Sequence, residues 1–131
     1  MFIVDAHLDL AWNAIEWNRD LQQPIQNINS REKELNDKPG RGNATVSIPE
    51  LKKGNIGLVV ATQIARYVSP DNPLPGWHSP EQAWAATQAQ LAWYRAMEEQ
   101  GEMVQIKDLR SLNIHLDIWN HDGPHEQKPL G

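Results

Sequence analysis

Cysteine is absent from the 131 residues. Disulfides are thereby excluded, and any metal must rely on histidine and carboxylate ligands. No stretch approaches the roughly 18 consecutive apolar residues of a membrane-spanning helix. The first residues carry no basic stretch, and the apolar run Phe2-Ile3-Val4 stops at Asp5. No secretory signal is read there, and a cytoplasmic location is expected. Basic residues are outnumbered, 12 against 17 acidic, for a formal charge of -5. Such a surface repels a phosphate backbone, so nucleic acid is not an expected partner. Disorder is also excluded, because a 40% hydrophobic share with six Trp can furnish a core.

What is present is concentrated at the start. Phe2-Ile3-Val4 leads directly into Asp5-Ala6-His7-Leu8-Asp9. Strand side chains alternate with a period of two, so a strand here puts His7 and Asp9 on one face. Their Cα atoms would then lie about 6 to 7 Å apart, near enough for an imidazole nitrogen and a carboxylate oxygen to meet on one cation. The same tripeptide recurs at His115-Leu116-Asp117. Context separates the copies: the first ends an apolar run, and the second lies among polar residues. The bland alternative for the first is a solvated strand end.

Farther on, Leu10 to Leu21 has helical apolar spacing. A polar stretch of about residues 22–45 follows, broken by Pro24, Pro39, Gly40 and Gly42, and reads as a long loop. Ser47 and Glu50 suit a capping box for a short helix, with Gly54 as its left-handed stop. Ile56 to Ala65 is nearly all apolar, as in a strand covered on both faces. Ser79, Pro80 and Gln82 mark the start of a helix running to about Gln100, before Gly101, with Trp84, Leu91, Tyr94 and an alanine series on its packing face. Residues 103–106 read as a third strand, and Asp108 opens a helical turn to Leu112. His115, His121 and His125 fall in a tail read as surface loop. Alternating strands and helices predict an α/β fold with parallel strands and crossover helices. Three strands do not complete such a sheet, so the chain is expected to be part of a larger fold.

In that order, the motifs resemble the membrane dipeptidase (renal dipeptidase) family of metallopeptidases, relatives of the amidohydrolases. Asp5-Ala6-His7-Leu8-Asp9-Leu10 with nearby Trp12 is similar to the family's opening Asp-Gly-His-x-Asp-Leu, Ala6 replacing Gly. Ser47-Ile48-Pro49-Glu50-Leu51-Lys52-Lys53-Gly54-Asn55-Ile56-Gly57 resembles the segment leading into the second barrel strand. The resemblance spans essentially the whole chain, about half or less of a roughly 250-residue barrel. It implies the N-terminal portion of a (β/α)8 TIM-type barrel, incomplete, in one domain over residues 1–131. It also implies a binuclear zinc centre in which His7 and Asp9 hold one ion. The family's bridging Glu and later His ligands have no counterpart here, and Glu126 follows a Pro-His turn rather than a strand.

The implied activity is zinc-dependent hydrolysis of dipeptides by metal-activated water in the full-length protein, the piece alone being inactive. Gln63 and Trp12 are placed to border such a site, with packing as their other role. A homo-oligomer is compatible with this reading. Two rivals stand beside it: another amidohydrolase-like metal hydrolase of amides or esters, and a non-catalytic interaction module that binds through the Trp-rich helix.

Overall fold

A computed structural model describes residues 1–131. The chain is mixed α/β, with two parallel strands and five α-helices. Strand β1 is Ile3–Leu8, followed by α1 at Leu10–Glu16, α2 at Ile25–Glu32 and α3 at Ile48–Lys53. Strand β2 is Ile56–Ala61, followed by α4 at Pro80–Glu99, α5 at Leu109–Asn120 and a 3-10 turn at His125–Gln127. No helix is long and apolar enough to cross a membrane.

β1 and β2 pair in parallel, with Val4 opposite Leu58, Asp5 opposite Val59 and Leu8 opposite Ala61. Three steps along β1 from Asp5 to Leu8 match two along β2, so β1 carries one extra residue there, a bulge. The Asp5 carboxylate accepts the His7 N–H at 3.0 Å across this irregular stretch.

The capping box of α4 is present in full. Ser79 accepts from the Gln82 N–H, Gln82 accepts from the Ser79 N–H, and Pro80 occupies the first turn, where its missing donor costs nothing. After the helix, Gly101 turns the chain at φ +75, a conformation few other residues adopt cheaply. α4 packs against α1 rather than across the strands, with Ala86, Gln90 and Met97 buried. Trp84 is 67% exposed and lies outside the packing expected of it.

Several sequence expectations are overturned by tertiary contacts. The polar stretch contains α2, whose inward residues are Ile28 and Glu32. An acidic residue on the buried side hides the helical period, because only its arginine partners make burial affordable. α3 starts after Ser47 as expected, but Ser47 makes no capping bond and its hydroxyl is buried without a partner. Gly54 has φ -76, and Asn55 takes the left-handed conformation at φ +58. β2 stops at Ala61, and its two faces differ: Val59 is buried, while Val60 is 55% exposed.

Residues 103–106 do not form a third strand. Met103 makes one isolated parallel bridge, to Leu130. The helical turn from Asp108 continues to Asn120, because Trp119 and the ring of His115 bury on the inward side of α5. His115 is therefore a buried helical residue and not part of a surface loop.

One core unites these pieces, drawing Leu10 and Ala14 from α1, Ile48 and Leu51 from α3, Val59 from β2 and Trp119 from α5. The Phe2 and Trp119 rings meet edge to face at 5.6 Å. Lys128 closes the end of α5, donating from Nζ to the carbonyls of Trp119 and His121 at 3.2 and 2.6 Å. A cation there satisfies terminal carbonyls and complements the helix dipole.

Candidate functional site

His7 lies at the C-terminal end of β1, and Asp9 is the residue from which α1 starts. The two side chains meet, with His7 Nε2 3.4 Å from Asp9 Oδ1. His7 is 74% exposed in its side chain and Asp9 34%, so a solute can reach the pair. The His115-Leu116-Asp117 copy behaves differently. Residues two apart on a helix do not share a face, and His115 turns into the core while Asp117 keeps to α5.

Asp9 is held from a second direction. Thr62, just beyond β2, donates its N–H to the Leu8 carbonyl at 3.2 Å and its hydroxyl to Asp9 Oδ1. Tyr94 on α4 donates its hydroxyl to the Thr62 carbonyl at 2.8 Å and accepts the Ala11 N–H at 3.2 Å. Burial raises the Tyr94 pKa above its usual range, with the Asp9 charge acting in the same direction, so the phenol stays a donor. Gln90 pairs with both backbone groups of Ile64, through Oε1 at 2.8 Å and Nε2 at 2.6 Å. α4 thus grips the residues after β2 and, through Thr62, the carboxylate of Asp9. Sequence reading missed Thr62 and Tyr94. Thr62 sat inside an apolar run, and nothing local connects Tyr94 to a residue 85 positions away.

The remaining histidines do not join His7. His115 Nε2 lies 2.7 Å from the Gly57 carbonyl, which can only accept, so that nitrogen carries the proton and buried Nδ1 has no partner. His121 Nδ1 turns to the Asp117 carbonyl, and His125 Nδ1 to the side chain of Asn55. No three His, Asp or Glu side chains gather into a metal-binding group. Trp12 packs edge-on to Trp17 at 5.9 Å, and Gln63 borders a cavity of about 940 Å³ beside β2.

A second cluster organises the segment after α1. Glu32 accepts from Arg19 Nε and Nη2 at 2.8 and 2.9 Å, from Arg41 Nη1 at 2.7 Å and from the Gly42 N–H at 2.9 Å. These bonds, Arg19 first, hold its pKa at about 2 against the desolvation that opposes them. Arg41 also forks onto Asp37 at 2.9 and 2.8 Å, which lowers the Asp37 pKa and raises that of Arg41. Both guanidiniums stack on Trp17, at 4.4 and 5.4 Å from the ring centre. Every charged group here has its partner within the cluster, which makes it a clamp on the loop rather than a vacant receptor.

Comparison with protein-family models, with curated proteins and with solved structures gives no match.

Proposed function

We propose that the chain is the N-terminal part of a (β/α)8 barrel belonging to a zinc-dependent hydrolase, and that the substrate of the whole enzyme is a dipeptide. The observation that carries the metal reading is the approach of His7 Nε2 and Asp9 Oδ1 to 3.4 Å at the C-terminal end of β1. In barrel enzymes that end of the strands carries the chemistry. The parallel pairing of β1 with β2 supports the same architecture. The dipeptide specificity rests on the family resemblance of the Asp5-to-Leu10 and Ser47-to-Gly57 segments.

The residues present fit part of such a centre. An imidazole nitrogen and a carboxylate are zinc ligands of ordinary kind, and both are accessible. His7 would bind through Nε2 as the neutral ring, and Asp9 through its carboxylate, whose Oδ1 faces that nitrogen. When bound, zinc acidifies a water molecule to a nucleophile and polarises the carbonyl it attacks. The role of Thr62 is to fix the Asp9 carboxylate, and that of Tyr94 is to fix Thr62.

A manganese titration of the isotopically labelled chain, followed by paramagnetic broadening, tests the metal reading. Broadening should centre on His7 and Asp9 and disappear in His7→Ala and Asp9→Asn. Broadening centred on His121 and His125 instead, with β1 silent, would remove the reading. The rival reading as a partner-binding module has one observation in its favour, the exposed Trp84 on α4. It predicts a titration indifferent to His7.

A further inference from the structure

Asp122-Gly123 lies in the short link between α5 and the 3-10 turn. It is the one place in the chain where an Asp or Asn is followed by Gly. That neighbour matters chemically, because any larger residue crowds a ring closing between the carboxyl carbon and the next backbone nitrogen. Both residues are exposed, and a Cβ at Gly123 would meet nothing within 4 Å, so open space surrounds the dipeptide.

Hydrogen bonding sets this aspartate apart from the others. The carboxylates of Asp5, Asp20 and Asp108 accept backbone N–H groups at 3.0, 3.2 and 2.7 Å. Those of Asp9 and Asp37 are held by Thr62 and Arg41. A held carboxylate is kept from turning back onto the nitrogen that follows it. Asp71 and Asp117 have unheld carboxylates, but there the following nitrogen is engaged. The Asn72 N–H donates to the Ser69 carbonyl at 2.9 Å, and the Ile118 N–H lies within the hydrogen-bonded ladder of α5. Asp122 alone combines a carboxylate without a partner and a following N–H without one.

We propose that Asp122 is a self-modification site, at which the chain closes a succinimide and then opens it to an isoaspartyl link. The Gly123 nitrogen loses its proton and bonds to Asp122 Cγ. One Cγ–O bond breaks, and the departing oxygen takes that proton and one from solvent to leave as water. Water then adds back to the ring. Cleavage of the new N–Cγ bond restores aspartate. Cleavage between the Gly123 nitrogen and the Asp122 backbone carbonyl carbon leaves isoaspartate, with a main chain longer by one methylene and a free α-carboxylate. The added length falls between two tethers. Lys128 Nζ holds the His121 carbonyl at 2.6 Å on one side, and the Gln127 and Lys128 N–H groups hold the Pro124 and His125 carbonyls at 3.2 and 3.0 Å on the other. The α-carboxylate is the group that an isoaspartate-specific carboxyl methyltransferase takes as substrate. The proposal stands without the metal reading, since it uses neither His7 nor Asp9.

The test is the 131-residue chain aged in warm solution at neutral pH, then given such a methyltransferase with labelled S-adenosylmethionine. Label should accumulate with ageing in the peptide that spans residues 122–123, and a protease that cuts before aspartate should lose its cut there. Asp122→Glu keeps the charge but would need a larger ring, and its label should fall to background. Asp122→Asn should reach the same isoaspartate faster than the parent chain, with ammonia leaving in place of water. Both replacements are at an exposed position and leave the core untouched. Label at another aspartate with residues 122–123 unlabelled, or equal label in Asp122→Glu, would overturn the proposal. So would an aged Asp122→Asn chain that releases no ammonia and takes no label, since the backbone there would then be unable to close the ring.

Discussion

The Tyr94 hydroxyl donates to the Thr62 carbonyl at 2.8 Å, tying the middle of α4 to the residue that follows β2. Because the Thr62 hydroxyl in turn donates to Asp9, a helix 85 residues away in sequence orients the carboxylate at the end of β1. Thr62→Val keeps the shape and removes only the donor. It is expected to weaken manganese broadening at Asp9 about tenfold while changing stability by less than about 1 kcal/mol. Thr62→Ser should restore the broadening. An unchanged response in Thr62→Val, with His7→Ala still abolishing it, would leave Thr62 a packing residue.

Gly57 has room for nothing larger. A Cβ there would run into the Phe2 ring and lie 2.6 Å from that of Trp119, which is buried and held through Nε1 to the Pro129 carbonyl. Gly57→Ala is expected to destabilise the fold by about 2 to 3 kcal/mol in urea unfolding. A loss below about 0.5 kcal/mol would mean that the Phe2-Trp119 pair is looser than its 5.6 Å packing indicates.

The Arg19-Glu32-Arg41 clamp predicts an acid-dependent loss of stability. The Glu32 pKa is about 2 in the folded chain against an ordinary 4.5. A lowered folded value means that the contribution is complete above about 4.5 and is lost as pH falls through about 2. Glu32→Gln should therefore cost about 3 kcal/mol at pH 7, a cost that shrinks steadily between pH 4.5 and pH 2. Urea unfolding of both proteins across that range measures it. A pH-independent difference would show that the charge of Glu32 is not what the arginines require.

The 131-residue chain is expected to leave dipeptides uncleaved in the presence of zinc. A catalytic zinc ordinarily has three protein ligands, and only His7 and Asp9 converge here. Zinc-dependent turnover abolished by His7→Ala would show that another group in the chain completes the centre.

What could be read from the residues was whatever depends on near neighbours. The Ser79-Pro80-Gln82 start of α4, β1 and the first part of β2 follow from capping chemistry and β-branched apolar runs. His7 and Asp9 do approach one another, but across the junction of β1 with α1 rather than along one strand, since β1 ends at Leu8 and Asp9 starts α1. α2 and the length of α5 were not legible, because each buries a polar residue, Glu32 or His115. A polar residue reads as surface until its partner is known. Residues 103–106, expected as a strand, pair only through the bridge of Met103 to Leu130, while Gly131 makes the backbone bonds to Gly57 and Val59 of β2. Strand-like composition marks a segment that can pair and does not identify its partner.

The sequence alone therefore determined the capped start of α4, the strand character of β1 and of the first part of β2, the acidic balance and the absence of thiol chemistry. Only the tertiary structure decided that Thr62 and Tyr94 hold Asp9, that two arginines neutralise Glu32, and that residues 130–131 occupy the edge of β2. The physical reason is the same in each case. These contacts join residues far apart in the chain, and their energies depend on burial and backbone hydrogen bonding that arise only when the elements pack together.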